Sequence, residues 1–344
     1  FSTIVFLFNS TLFPDSSHSS LGQHFIIGID HYPIEKEWLE LIHDYDVSGV
    51  IFISSTFSKA STVKKAVSDI KKVIHNPYFF FSIDQEGGRV NRIKEEIITL
   101  PSPKSIHDSK DLLSARNWSF INASQLNECG INVNFSPVVD VNRNSKNKVI
   151  GSRSFSANPF DVITQSSIVV EEHLKNKVLP VLKHFPGHGQ TQHDSHSKLP
   201  VHSRPDELEL FDIKPFYSLI KKEAPAVMVG HVLYPSLDPL YPASLSKEIV
   251  SNILIQDMGF EGLIFSDDLS MGAVKNSYSL TDSSLLAMQA GIHQLIVISN
   301  LKQLQLLFKS LELKQSQDPT FNLFLENRLD HIRHAKRSVF HHLL

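Results

Sequence analysis

Three short stretches combine side chains that could bind and cleave a polar substrate. The first, Ser82-Ile83-Asp84-Gln85-Glu86-Gly87-Gly88-Arg89-Val90-Asn91-Arg92, follows an apolar run, so Asp84 stands where a strand ends. Gly87 and Gly88 permit a tight turn, and Arg89 and Arg92 offer forked donors to hydroxyl and carbonyl oxygens. A plain glycine turn with solvated charges would look the same. The second stretch runs from Lys183-His184-Phe185-Pro186-Gly187-His188-Gly189 to Asp194-Ser195-His196. In an extended loop, residues two apart point the same way, so Asp194 could fix one ring nitrogen of His196 and leave the other free for proton transfer. A metal reading competes here, since His184, His188, His193, Asp194 and His196 are all potential zinc ligands. Against it, Pro186, Gly187 and Gly189 break the helix that would put His184 and His188 on one face. An incidental histidine-bearing loop is a third reading.

The third stretch, Gly262-Leu263-Ile264-Phe265-Ser266-Asp267-Asp268, stops a buried apolar strand at two carboxylates. Asp267 continues the strand direction and Asp268 points the other way, which makes Asp267 the better nucleophile candidate. Alternatively, one of the pair caps a following helix, or both hold a magnesium ion. Arg153, in Gly151-Ser152-Arg153, follows the run Phe135-Ser136-Pro137-Val138-Val139-Asp140 after a long loop. His231 ends a sixth apolar run and fits either the mouth of a site or a supporting position behind it.

What would hold these groups in place is a repeated βα pattern. Short apolar, β-branched runs fall at 24–30, 48–53, 78–84, 132–136, 178–184, 226–230, 262–267 and 293–298. Amphipathic segments between them predict helices at about 33–45, 59–74, 109–128, 159–176, 205–222, 246–258 and 280–291, with more over 301–311 and 320–341. Eight strands alternating with helices, several of them ending in polar motifs, predict an α/β fold of the single (β/α)8 TIM-barrel type. A doubly wound open sheet is the alternative. The expected organisation is a poorly defined extension over 1–20 and one catalytic domain over 21–344.

The bulk properties narrow the function. With 344 residues, 41% of them hydrophobic and 20% charged, the chain can bury a sizeable core. Its 33 basic and 36 acidic side chains give a charge of -3 and no broad positive field, which argues against a nucleic-acid partner. Cys129 is the sole cysteine, which excludes an internal disulfide and a multi-thiolate metal site. No stretch approaches the roughly 18 to 20 apolar residues of a membrane span. The apolar run over 1–8 has no basic residues before it and no clear cleavage site after it, yet the chain starts without Met, which leaves open the remnant of a longer leader.

Taken in order, IDQEGGRVNR, NFSPVVDVN, GSRSF, KHFPGHG with DSH after it, and SDDLSM resemble the motifs of the single-domain β-N-acetylglucosaminidases (β-hexosaminidases) of glycoside hydrolase family 3. Matching segments cover about 49–271. The resemblance implies Asp267 as the nucleophile that forms a covalent glycosyl-enzyme, and His196, oriented by Asp194, as the general acid/base. It implies that Asp84, Arg92, Arg153, Lys183 and His184 contact the terminal N-acetylglucosamine, with no metal or organic cofactor. The glucosidase branch of the family takes its acid from a second domain. The DSH loop replaces it here and the segment after Met271 looks too short for one, so hexosaminidase ranks above glucosidase. The implied role is cytoplasmic recycling of cell-wall muropeptides, cutting N-acetylglucosamine from 1,6-anhydro-N-acetylmuramic acid, by a monomer with no membrane partner. Two departures, Ser54-Ser55 where relatives more often carry Arg-Asn and the spacer 190–193, bear on fine substrate preference. A metal-assisted hydrolase and a silent sugar-binding module are the remaining alternatives.

Overall fold

The computed structural model describes residues 20–74, 76–191, 195 and 197–343. Each of the eight expected runs contains a strand, the fifth contains two, and a short hairpin of two further strands follows the third run. They are β1 (Phe25–Ile29), β2 (Gly49–Phe52), β3 (Phe80–Ile83), β4 (Gln85–Gly87), β5 (Val90–Asn91), β6 (Val133–Asn134), β7 (Leu179–Pro180), β8 (Leu182–Phe185), β9 (Ala226–Val229), β10 (Leu263–Ser266) and β11 (Leu295–Val297). One parallel sheet runs β11-β1-β2-β3-β6-β7 and a second runs β10-β9-β8, while β4 and β5 form an antiparallel hairpin. Register is fixed by pairs such as Ile27 with Val50 and Val50 with Phe81. Single parallel bridges join Val138 to Lys183 and Phe265 to Gln294.

Alternate residues of these strands enter two different apolar clusters. Ile26, Ile51, Phe80, Met228, Phe265 and Ile296 share one, joined by Ala335, Val339 and Phe340 of the helix Pro319–Leu343. Phe25, Ile27, Val50, Phe52, Val227, Ile264 and Val297 belong to the other, with the remaining helices. Within the first cluster, the Phe265 ring lies 5.9 Å from Phe80 and 5.6 Å from Phe135.

Two helices depart from the sequence expectation for local reasons. The helix expected over 109–128 starts three residues later, at Leu112, because Lys110 takes a left-handed φ of 55° that ends the short helix Pro103–Asp108, and Asp111 caps Leu112–Glu128 by accepting from Leu113 N at 3.0 Å. The segment over 205–222 widens by a residue per turn at Leu208–Ile213, just before Pro215, which has no N–H to donate.

The helix Pro319–Leu343 inserts a lysine beneath the strands. Lys336 is 1% exposed, with Nζ 3.2 Å from Gln23 Oε1 and 4.7 Å from the centre of the Phe80 ring. Burial lowers its pKa to about 7, partly opposed by Asp46. Between about pH 7 and the ordinary lysine range, the unfolded chain therefore holds a proton that the folded chain lacks, and stability rises with pH across that window. Lys336→Met is expected to remove this contribution and to raise the melting temperature more at pH 6 than at pH 9. Equal melting temperatures for the variant and the parent protein at pH 6 would contradict it.

Candidate active site

The polar motifs gather where several strands end. Asp84 follows β3, Lys183 and His184 lie within β8, and Asp267 follows β10. The β4–β5 hairpin turns at Gly87 and Gly88, with φ of 91° and 60°, and the Gln85 side chain locks it by accepting from Arg92 N at 2.8 Å. This turn buries Glu86 completely and brings Arg92 back towards Asp84.

Glu86 is the hub. Arg153 grips it with two hydrogen bonds, from Nε and Nη2, each 2.8 Å, and Lys183 Nζ lies 2.6 Å away. Lys183 also reaches Asp84 Oδ1 at 2.8 Å, and Arg92 Nη2 stands 3.6 Å from Asp84 Oδ2. Burial alone would push the Glu86 carboxyl up, but Arg153 and Lys183 together hold it well below the usual carboxylate range. For the same reason Lys183, despite burial, stays protonated above the ordinary lysine value. The result is a desolvated, alternating charge network in which Asp84 and Arg92 keep partly exposed edges.

His184 is held by Asp140. The carboxylate accepts from Nδ1 at 2.7 Å, which leaves Nε2 as an acceptor facing Arg153 Nη2 at 3.4 Å. Asp140 also accepts from the backbone N–H of His188 at 2.6 Å, so one acid orients both the ring and the following turn. His188 itself is buried, and burial with His184 alongside lowers its pKa to about 4, so it is neutral. Gly189 packs so closely that an added Cβ would lie 2.0 Å from the Val141 carbonyl oxygen.

Asp267 is half-buried, and its Oδ1 accepts from Asp268 N at 2.9 Å. Burial raises its pKa, but His231, His184, the Asp268 N–H and Lys183 outweigh that and hold it below the ordinary aspartate value. It is therefore an anion at neutral pH, as a carboxylate nucleophile must be. Asp268 does not cap the following helix, the alternative role that the sequence left open to either acid of the pair. Its carboxylate accepts from Ser270 and from Ile298 N at 2.9 Å, bracing the turn against the end of β11, while Met271 precedes the short helix Gly272–Lys275. His231 stands behind this turn, where Nε2 donates to the Asp268 carbonyl at 2.9 Å and Nδ1 meets Ser244 Oγ at 2.6 Å.

The structure thus brings Asp84, Arg92, Arg153, Lys183 and His184 into one network, and the positive charge of Lys183 reaches Asp267. Asp194 and His196, with His193, lie outside the described residues. Among the described residues no group of three or more His, Cys, Asp or Glu side chains could hold a metal ion. Arg89 serves the backbone. Its guanidinium ties down the carbonyls of Lys148, Val149 and Ile150. Glu86 and Asp140 were not singled out from sequence, and their signal was slight: an acid beside a glycine turn and an acid closing an apolar run. A separate cavity of about 600 Å³ opens beside the end of β10, lined by Leu269, Ser270, Lys275, Tyr278, Asn300 and Gln303 among others; none of the network residues lines it.

A family model for the glycosyl hydrolase family 3 N terminal domain matches residues 20–320. The chain belongs to glycosyl hydrolase family 3. It is a glycoside hydrolase, as the motif resemblance implied. A β-hexosaminidase of Psychromonas ingrahamii is 37% identical over 272 residues, 76% of this chain and 79% of the relative. The family 3 β-N-acetylglucosaminidase of Paenibacillus sp. FPU-7 superposes with a TM-score of 0.85 at 27% identity, over 94% of this chain and 62% of that longer one. NagZ from Neisseria gonorrhoeae, solved with N-trifluoroacetyl-D-glucosamine, gives a TM-score of 0.76 at 28% identity, covering 92% of this chain and 93% of that one. No described helix of this family 3 chain is long and apolar enough to cross a membrane.

Proposed function

We propose that this family 3 hydrolase is a retaining exo-β-N-acetylglucosaminidase in which Asp267 is the nucleophile and His196, oriented by Asp194, is the acid and base. One observation carries the reading. The residues on either side of His196 are tied to the segment that follows Asp267: Ala273 N donates to the Ser195 carbonyl at 3.0 Å, and Asn276 Nδ2 donates to the Ser197 carbonyl at 3.2 Å. Two stretches nearly eighty positions apart thus meet at the helix Gly272–Lys275, a few residues past Asp267, which supports a nucleophile and a proton donor acting on one glycosidic bond.

In the first half-reaction the Asp267 carboxylate attacks the anomeric carbon while His196 protonates the leaving oxygen. In the second, the neutral imidazole deprotonates water, which releases the sugar from Asp267 with its original configuration. Asp84, Arg92, Lys183, His184 and Arg153 bind the sugar hydroxyls and acetamido group, with Glu86 fixing the two cations that flank it. The hexosaminidase name of the relatives, and the N-trifluoroacetylated glucosamine bound to NagZ of Neisseria gonorrhoeae, support hexosaminidase activity. The muropeptide substrate and the cytoplasmic setting come from the motif resemblance alone, and the monomer is an expectation from sequence.

We infer further that the strands close into a single (β/α)8 barrel over 21–344. The alternation of strand residues between two clusters, the Phe80–Phe265 contact across the first of them and the Phe265–Gln294 bridge support closure. For activity, the expected result is hydrolysis of a chromogenic N-acetyl-β-glucosaminide far faster than of the matching glucoside, with the β-anomer released first, seen by proton NMR. Release of the α-anomer first would overturn the mechanism.

A further inference from the structure

We propose that Tyr234, Asp212 and His202 form a clasp that holds together the two ends of the loop carrying Asp194 and His196, and that they are positioning residues for proton transfer. The proposal rests on the glycosidase reading above. The loop leaves β8 after Phe185 and comes back at Pro200 to His202. At its start, the Tyr234 hydroxyl donates to the Gly187 carbonyl. Gly187 sits so tightly against Asp212 that an added Cβ would lie 2.5 Å from Asp212 Cβ and 2.6 Å from its Oδ1. At its end, Leu233 N donates to the Pro200 carbonyl at 2.9 Å and His202 N to the Leu233 carbonyl at 2.8 Å. There the same two side chains meet the loop again: Asp212 Oδ2 accepts from His202 Nε2 at 3.1 Å, and the His202 and Tyr234 rings stack at 5.1 Å and 24°.

All three side chains are buried, and neither His202 Nδ1 nor Asp212 Oδ1 has a hydrogen-bond partner among the described residues. Aliphatic side chains of equal volume would fill such a space at less cost, since buried polar atoms without partners destabilise a fold. What the polar set supplies is a fixed distance between the loop's two ends. That distance sets where a histidine midway along the loop can reach, and displacing a catalytic group by about 1 Å costs on the order of a hundredfold in rate.

Tyr234→Phe, His202→Gln and Asp212→Asn distinguish positioning from mere support when kcat/KM is measured on aryl N-acetyl-β-glucosaminides of different leaving-group acidity. A dinitrophenolate departs without a proton and a methoxyphenolate does not, so only the second depends on the acid. The clasp predicts a loss of about tenfold or more on the methoxyphenyl glycoside and a change below about twofold on the dinitrophenyl glycoside. Tyr234→Phe, which removes one hydroxyl, guards against misfolding of the other two. Equal losses on both substrates, or no loss in any variant, overturn the clasp while leaving the glycosidase reading intact. Failure of the unaltered protein to cleave either glycoside refutes that reading and the proposal with it.

Discussion

Asp267→Ala is expected to lower kcat/KM for an N-acetyl-β-glucosaminide by about 10⁴-fold or more, because removal of a nucleophile forfeits the covalent route altogether. Stability should hardly change. Among the described residues, the one side-chain hydrogen bond of Asp267 is accepted from the N–H of its neighbour, and the residue is half-buried rather than sealed in the core. Added azide should restore turnover in the alanine variant and give the α-glycosyl azide, since the vacated space admits a small anion on the nucleophile's side of the sugar. Asp268→Asn is the informative contrast. Its oxygens brace Ser270 and Ile298, so it should cost stability and a modest part of the rate, with no azide response. Azide rescue of Asp268→Asn instead of Asp267→Ala would exchange their roles.

Glu86→Gln is expected to damage both the fold and sugar binding. Glu86 is the carboxylate shared by Lys183 and Arg153, and among the described residues its loss leaves the buried ammonium with Asp84 alone and the guanidinium with no acid in ion-pair contact. Breaking a buried pair by removing one partner typically costs about 3 to 5 kcal/mol. Denaturant unfolding should register a loss of that order, together with a raised KM, because the freed Lys183 and Arg153 no longer hold their positions. Adding Arg153→Met to Glu86→Gln should recover part of the stability but none of the affinity. A Glu86→Gln protein as stable as its parent would show the pairing to be less desolvated than its burial indicates.

The strands were readable because a strand buried on both faces is a continuous apolar run, as in Phe79-Phe80-Phe81 and Leu263-Ile264-Phe265. Groups at strand ends were readable for the same reason: Asp84 and Asp267 stand where such runs stop, and Lys183 and His184 interrupt one. Glu86 was not, because an acid between a glutamine and two glycines reads as a solvated turn until Arg153, 67 positions away, is folded onto it. Asp140 escaped notice likewise, its partner His184 lying 44 positions on. The cap was one of the alternatives open to the Asp267–Asp268 pair, since aspartate before a helix often caps it; the acceptor role of Asp268 towards Ile298 N depends on how β10 lies against β11, which no local pattern encodes. The division of the fifth run at Val181 also follows from pairing, with β7 beside β6 and β8 beside β9.

The most direct measurement is peptide mapping by mass spectrometry after inactivation with a 5-fluoro N-acetylglucosaminyl fluoride, which slows release of a glycosyl-enzyme. The assignment predicts one sugar per chain, carried on the Leu263–Ser266 strand's next residue, Asp267. A label on Asp268, on a residue outside that turn, or none at all in a protein that still turns over the chromogenic substrate would contradict it.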